Sequence, residues 1–242
     1  MPRLSSPSEP RGRDPTLKLL RRRAKSFDIQ VQDLVLHISA PEDYAEESRA
    51  AALSFWEQLQ SYALRYPAFR QSKRPLDRIT ADAPDIVKEM VQAATSAGVG
   101  PMFTFRGAVV DQVGRFLGEQ LHELTVACDG DYYIRSRKRM KLGVKRRGGE
   151  PITVALSPSL SGVGVSTTLG RGRGGGGPDG LAVIADTCML ADAAAAGVQA
   201  VLGKPGGFHR SLHYLRQVPG VHGGVIVAGL EIGVAGGVEI AA

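Results

Sequence analysis

Acidic residues in two parts of the chain are of the types that hold ligands or metal ions. Asp129 and Asp131 flank Gly130 where a strand is predicted to end, and Asp192 lies inside an alanine-rich helix with few other polar positions. Carboxylates from separate segments can together coordinate a hard cation such as magnesium. Asp129 and Gly130 also have the composition of an ordinary turn, and Asp192 could face solvent. The residues alone leave both interpretations open.

A second candidate is the segment 161–180, which holds nine of the 30 glycines and is predicted to be a loop. Its uncovered backbone N–H groups, its hydroxyls and two arginines could cradle a phosphate. The segment fits neither the P-loop pattern nor GxGxxG, so it carries no nucleotide motif, and a surface loop without a ligand is equally compatible. The polar residues singled out here are Ser166, Thr167, Thr168 and Asp179.

Histidines and cysteines give weaker signals. His209 and His213 are four residues apart on a predicted helix and could face one metal ion, but no HExxH order accompanies them, and a solvated helix face is favoured. Cys128 and Cys188 are the only cysteines, which excludes a disulfide framework and favours a reducing compartment.

Positive charge is concentrated in two blocks of the 242-residue chain. Residues 1–26 hold eight basic and two acidic side chains, which equals the whole net charge of +6, and residues 135–147 hold eight basic side chains and no acidic one. Residues 1–26 are predicted to be a disordered tail, and 135–147 a hairpin that turns at Leu142-Gly143. Both blocks could contact nucleic acid or an acidic partner, and a solvated basic hairpin is the alternative.

Targeting signals are not expected. Arg21-Arg22-Arg23 is followed by a stretch that is polar at every second place, not by the apolar region of an export signal. The most apolar stretch, 219–242, is interrupted by Glu231, Glu239 and many glycines, so it cannot span a bilayer. A cytoplasmic location, without membrane contact, is predicted.

The elements that must position these residues are grouped, not strictly alternating, and this grouping predicts an α+β fold. A capping-box pattern at Ser39–Glu42 predicts the start of a helix that ends at Pro67, and Gly98 is the predicted C-cap of a second helix. Each half, roughly 27–120 and 121–242, contains a strand pair and helices. The other predicted strands and helices are 27–31, 34–38, a helix through Val109, 124–127, 132–137, 140–145, 152–156, 181–185, helices over 187–203 and 206–216, 225–230 and 238–240.

Several motifs in sequence order resemble the uncharacterised ApbE-like proteins, relatives of the FAD:protein FMN transferases once called thiamine biosynthesis lipoproteins. The motifs are Gly98-Val99-Gly100-Pro101-Met102, Gly107-Ala108-Val109-Val110-Asp111, Asp129-Gly130-Asp131, the Ser-Thr-Gly segment ending in Asp179, and Ala191-Asp192-Ala193. The resemblance covers about residues 27–242. It implies two T-fold-like halves with a ligand cleft between them. Separately from the resemblance, homo-oligomers are an open possibility for the chain.

The resemblance implies that this cleft holds FAD in the transferases, and that magnesium there assists the transfer of FMN to a partner protein. It places Gly98, Gly100, Pro101, Met102, Asp131, Ser166, Thr167, Thr168 and Asp179 at the flavin, and Asp192 at the metal. The chain departs from the transferase pattern at three points, namely Ala196 in place of a metal-binding Thr, Cys128-Asp129 in place of Asn-Gly, and Arg171-Gly172 in place of His-Ser. The expected function is therefore binding of a flavin- or nucleotide-like phosphorylated ligand without competence in FMN transfer.

Overall fold

The computed structural model describes residues 24–168 and 177–241. Along the chain, two strands are followed by helices, by a run of strands, by two more helices and by the closing strands. The helices are α1 (Ala45–Arg65), α2 (Pro67–Gln71), α3 (Asp85–Ala97), a 3-10 turn (Pro101–Thr104), α4 (Phe105–Gly118), α5 (Cys188–Leu202) and α6 (Gly207–Gln217). The strands are β1 (Lys25–Val31), β2 (Leu34–Ala40), β3 (Leu124–Cys128), β4 (Asp131–Ser136), β5 (Met140–Arg146), β6 (Gly149–Leu156), β7 (Ser159–Thr168), β8 (Gly180–Ala185), β9 (Val221–Ala228), β10 (Glu231–Gly236) and β11 (Glu239–Ile240).

The strands form two antiparallel sheets. The large sheet has the order β1-β2-β3-β4-β7-β8-β9-β10, and the small one has the order β11-β6-β5. Because β5 and β6 leave the large sheet, β4 pairs with β7, so that Asp131 lies opposite Ser166. The combination of helices with antiparallel sheets confirms the predicted α+β class. The division into two T-fold-like halves stays a prediction.

The period-2 alternation of side chains divides the core into layers. Along β8, Leu181 and Val183 pack among residues of α3, α5 and α6, whereas Ala182 and Ile184 face the small sheet. Successive residues of a strand point to opposite faces, so the large sheet has helices on one face and the small sheet on part of the other. Tyr133 of β4 belongs to the helix face together with residues of α4. Residues two places from it in β4 therefore point toward the helices as well.

Two boundaries predicted from sequence near the N-terminus are wrong. The first strand, β1, starts at Lys25 and not at Phe27, so the predicted tail does not extend to residue 26; residues 1–23 lie outside the described residues. The capping-box prediction at Ser39–Glu42 fails because Ala40 pairs with Lys25 and so remains in β2. Helix α1 begins at Ala45, whose N–H donates to the Asp43 carboxylate at 3.0 Å.

The predicted glycine loop is also partly wrong. Ser159–Thr168 is strand β7, so the predicted loop positions Ser166, Thr167 and Thr168 lie on a strand in the middle of the large sheet. A glycine is required at one point of this strand because α5 begins directly above it. A Cβ at Gly164 would lie 2.0 Å from the backbone nitrogen of Cys188. Residues 169–176, including Arg171 and Gly172, lie outside the described residues.

The hairpin predicted to turn at Leu142-Gly143 does not turn there. Strand β5 runs straight through both residues, which pair with Val154 and Thr153 of β6. Leu142 is buried between the two sheets, and that burial excludes it from an exposed turn. The turn between β5 and β6 lies at Arg147-Gly148, where Gly148 adopts a φ of +70°.

Candidate functional site

A two-residue turn brings Asp131 into the large sheet. Cys128 and Asp131 pair across Asp129 and Gly130, which have φ values of 47° and 96°. Positive φ at both central residues defines the hairpin turn for which Asp-Gly is a preferred sequence. The turn is held against β7, because Thr167 donates to the Gly130 carbonyl oxygen from its backbone nitrogen at 2.7 Å and from its hydroxyl at 3.0 Å. Asp129 is thus a turn residue, and Asp131 is the first residue of β4.

Asp131 points toward the helices and is almost completely buried there. It lies two residues from Tyr133 and therefore on the same face of β4. Its carboxylate accepts a side-chain hydrogen bond from Ser166, directly opposite on β7. Its second polar neighbour is Arg106 in the first turn of α4, whose Nε donates to Asp131 Oδ2 at 3.3 Å. Asp131 is 2% exposed and Arg106 is 47% exposed, so the guanidinium lies between the buried carboxylate and solvent.

Asp192 joins this group from α5. A Cβ at Gly107 would lie 2.5 Å from the backbone oxygen of Cys188, so a glycine is needed where α4 and α5 approach. The Gly107 N–H donates to Asp192 Oδ2 at 3.4 Å. Asp192 is partly buried and remains accessible to solvent. We call Arg106, Asp131, Ser166 and Asp192 the α4–α5 site.

The electrostatics of the α4–α5 site favour protonated carboxyl groups. Burial raises the pKa of Asp131 to about 6, although hydrogen bonds from Ser166 and Arg106 act in the opposite direction. Removal from water and the nearby Asp131 charge raise the pKa of Asp192 well above its ordinary value. Partial burial opposes the charge of Arg106, but Asp131 and Asp192 outweigh this effect and raise its pKa. The raised pKa values favour the neutral form of both carboxyl groups, and the guanidinium of Arg106 favours the charged form of Asp131.

A second buried carboxyl group fixes the start of α5. Asp111 of α4 accepts hydrogen bonds from the backbone nitrogens of Cys188 at 2.9 Å and Met189 at 2.8 Å. These are the N–H groups that a helix leaves unsatisfied at its N-terminus. Burial raises the pKa of Asp111 to about 7 in spite of these two bonds. Asp111 thus fixes the position of α4 relative to α5, and this position places Arg106 beside Asp192.

The predicted segment Gly98–Met102 leads into the site along the chain. Gly98 is the left-handed C-cap of α3, as predicted, with a φ of 70°. A Cβ at Gly100 would lie 2.0 Å from the backbone oxygen of Ser72, so the loop after α2 packs directly on this segment. Pro101 begins the 3-10 turn, and Met102 packs against the core. The 3-10 turn contacts both α4 and α5.

Asp179, predicted for the same cleft, has its contacts elsewhere. Its Oδ2 accepts from the Gly229 N–H at 2.8 Å, and its Oδ1 lies 3.8 Å from Arg147 Nε. It lines a cavity of about 410 Å³ at the start of α6, and neither Asp131 nor Asp192 lines that cavity. Thr168 pairs with Leu181 on β8, two strand positions from Ser166. The structure thus brings Asp131, Ser166 and Asp192 together but gives no contact between them and Asp179.

The donor set of the α4–α5 site does not fit a resident magnesium ion. Among the residues that the structure describes, no group of three or more His, Cys, Asp or Glu side chains could hold a metal ion. Asp131 and Asp192 are two carboxyl groups, and Ala196, one turn after Asp192, offers no side-chain oxygen. The guanidinium of Arg106 already lies at hydrogen-bond distance from Asp131, and its positive charge would repel a dication.

Much of the basic block 135–147 has internal partners. Arg135 donates to the Gly118 carbonyl oxygen, Arg139 pairs with Glu239, and Arg146 donates to the Glu150 carbonyl oxygen at 2.7 Å. Arg147 lies beside Asp179. These contacts reduce the charge available to a polyanion, and contact with one stays a prediction. In the described ranges 24–168 and 177–241, no helix is long and apolar enough to cross a membrane.

Comparison with solved structures defines the fold as that of the ApbE flavin transferases. The fold is similar to the flavin transferase ApbE of Vibrio cholerae, with a TM-score of 0.56 and 10% identity over 90% of this chain and 98% of the other. It is also similar to the apo form of the Pseudomonas stutzeri flavinyl transferase ApbE, with a TM-score of 0.58 and 11% identity over 93% of this chain and 96% of the other.

Sequence comparison shows the family. Residues 17–207 match the family model described as "AbpE bacteria". A UPF0280 protein of Methanopyrus kandleri is 31% identical over 176 residues, which cover 70% of each chain. A UPF0280 protein of Methanocella arvoryzae is 26% identical over 212 residues, 85% of this chain and 86% of the other. The chain belongs to this ApbE-like family, and the resemblance seen in its motifs is confirmed.

Arg106 is the site residue that the sequence analysis missed. It is the only charged residue in the apolar stretch 101–110, which reads PMFTFRGAVV. A single arginine in the first turn of such a helix either reaches solvent or has a buried partner. The isolated charge in this apolar stretch was the signal from which Arg106 could have been predicted. The partner, Asp131, is 25 residues away and could not be identified without the sheet topology.

Proposed function

We propose that this chain binds a flavin- or nucleotide-like phosphorylated ligand at the α4–α5 site. The observation that carries the proposal is the convergence of Asp131, Ser166 and Asp192 from three elements around a half-exposed arginine. Two of these residues, Asp131 and Asp192, belong to motifs shared with the ApbE-like family. The fold neighbours named flavin transferases support the choice of a flavin among phosphorylated ligands.

An exposed aromatic ring three residues before Arg106 in the chain supports a ligand with a flat ring system. Phe103 in the 3-10 turn is 37% exposed and precedes Arg106 by three residues, so both lie on a similar side of one helical turn. The Lys73 ammonium lies 5.2 Å from the centre of the Phe103 ring. Aromatic faces stack on flat ligands, and the two cations favour negatively charged groups. An aromatic nucleotide combines both properties.

The proposal covers binding and does not extend to FMN transfer. The chain has Ala196 where the resemblance places a metal-binding threonine, and the donor set does not fit magnesium. No reacting group is therefore assigned. Contact of the basic blocks with a polyanion remains a separate prediction, because no described contact favours it.

A fluorescence titration with FMN and FAD tests the proposal. Trp56 is the only tryptophan, and its ring lies 5.3 Å from that of Phe105, next to Arg106. A flavin bound at the α4–α5 site should quench its emission in a saturable manner. Asp131→Asn should weaken binding about tenfold or more, because Arg106 loses its charged anchor. Asp186→Asn is the matched control, because Asp186 is an exposed carboxylate paired with His222. Absence of saturable quenching, or equal affinities for both variants, contradicts the proposal.

A further inference from the structure

Arg106 is held at one edge and open at the other. Its Nε donates to Asp131, and within the described part of the chain neither Nη1 nor Nη2 has a hydrogen-bond partner. A guanidinium fixed in this way presents two parallel N–H donors in one plane. That geometry matches two oxygens of a phosphate, which arginine binds in a bidentate manner. The side chain of Arg106 is 47% exposed, so part of it can be reached from solvent.

The same residue supplies the positive charge that the carboxyl groups require. Two carboxyl groups close together in a partly dry site need a cation or a proton. Arg106 is bonded to Asp131 and interacts electrostatically with Asp192 and Asp129. Burial and the nearby Asp131 charge raise the pKa of Asp192 and so favour its neutral form. The guanidinium of Arg106 is therefore the direct counter-ion of the buried Asp131 carboxylate, without a metal ion.

We propose that Arg106 takes the place of a divalent cation in the α4–α5 site and receives the phosphate of the ligand on its open edge. Binding of the phosphorylated ligand then needs no magnesium. The identity of the ligand as a flavin rests on the proposed function, but the role of Arg106 toward a phosphate does not. Asp131 is the residue that positions the guanidinium.

The first experiment measures thermal unfolding of the full chain without any ligand, in magnesium chloride and in EDTA. The wild-type midpoint should be the same in both, because the guanidinium already occupies the cation position. Arg106→Ala should have a lower midpoint in EDTA, because Asp131 loses its counter-ion, and magnesium should restore part of the loss. Arg115→Ala is the control. Arg115 lies on the same helix, is 42% exposed and pairs with Glu89, outside the site. A wild-type midpoint that rises with magnesium overturns the proposal.

The second experiment measures binding of FMN and of inorganic pyrophosphate by calorimetry, again in magnesium and in EDTA. Arg106→Ala should weaken both ligands about tenfold to a hundredfold, the range expected for loss of charge-assisted hydrogen bonds. Arg106→Lys keeps the charge but not the planar fork, so it should recover only part of the affinity. Arg115→Ala should bind as the wild type does. Arg106→Lys also serves if Arg106→Ala fails to fold.

The outcomes separate this proposal from the proposed function. If pyrophosphate binds in an Arg106-dependent manner and FMN does not bind, a flavin is excluded as the ligand and the proposed role of Arg106 stands. Flavin binding that requires magnesium, or that is unchanged in both Arg106 variants, keeps the proposed function and overturns the role of Arg106. Failure of both ligands to bind the wild type overturns both.

Discussion

Two carboxyl groups of the α4–α5 site have pKa values above those of the same groups in water. Asp131 and Asp192 both have raised pKa values, mainly because they are removed from solvent. A buried carboxylate is tolerated only when it is paired. Arg106 provides that pairing for Asp131, and the raised pKa of Asp192 favours its neutral form. The chemistry of the site therefore depends on the burial of Asp131 and on its pairing with Arg106 as much as on the residue types.

Asp111 gives a pH-dependence that can be measured without a ligand. Its pKa is about 7 in the folded protein and 3.8 when unperturbed, so the folded state retains a proton that the unfolded state loses between these values. The free energy of unfolding should therefore fall as the pH rises through this window, by at most roughly 4 kcal/mol from this group. Asp131 acts in the same direction up to about pH 6. Asp111→Asn should reduce the slope, as measured by urea unfolding across the window.

The control for this prediction is again Asp186→Asn, an exposed carboxylate that should leave the slope unchanged. Asparagine at position 111 keeps one oxygen for the N–H groups of Cys188 and Met189, so the helix start retains part of its cap. A wild-type stability that increases over the same range would show that Asp111 is ionised in the folded protein. An unchanged slope in Asp111→Asn would assign the pH-dependence to other groups.

At the scale of elements, close contact between α4 and α5 determines the geometry of the site. Gly107 lies where the α4 backbone meets the first residue of α5, and Gly114 lies against the ring of Tyr133 on β4. Both glycines are inside a helix, where alanine would ordinarily be preferred by about 1 kcal/mol. Close packing against a second element outweighs that preference. The two positions allow α4 to lie between the sheet and α5.

Gly107→Ala should destabilise the protein although it improves the intrinsic helix propensity. The added Cβ would lie 2.5 Å from the backbone oxygen of Cys188, so the helices must separate. A loss of about 1 to 3 kcal/mol is expected for overpacking of this kind. Urea unfolding of Gly107→Ala beside Gly237→Ala is the measurement, because a Cβ at Gly237 meets nothing within 4 Å. A more stable Gly107→Ala variant would refute the close approach of the two helices.

The helices and strands also show which features could be predicted from local sequence patterns. The C-cap at Gly98 was predictable because it depends on local backbone conformation. Strand β7 was not, since its glycines were interpreted as loop residues although Gly164 makes room for α5. The start of α1 was misplaced because pairing with β1 keeps Ala40 in a strand. In each wrong prediction, a contact between distant segments overrides a local preference.

For the whole molecule, the family motifs predicted more of the site than composition did. The order of the strands brings β4 beside β7 through pairing of distant residues, such as Asp131 with Ser166, which are 35 positions apart. No periodicity in the sequence contains that information. The motifs around Asp131 and Asp192 identified two residues that the structure places in one site. Asp179, chosen on the same grounds, lines a cavity to which Asp131 and Asp192 do not contribute, and Arg106 belongs to none of the motifs.

The central claim is that the folded chain binds a flavin-like phosphate ligand at the α4–α5 site without a metal ion. The most direct measurement is the thermal unfolding midpoint of the full chain with saturating FMN in EDTA. A ligand present at a hundred times its dissociation constant stabilises the folded state by about 2.7 kcal/mol. For a chain of this size, that corresponds to an increase of roughly 5 to 10 °C.

We expect this increase for the wild type in EDTA, no further increase with magnesium, and little or no increase for Arg106→Ala. A midpoint that saturating FMN and FAD leave unchanged, with and without magnesium, would show that the folded chain binds neither flavin.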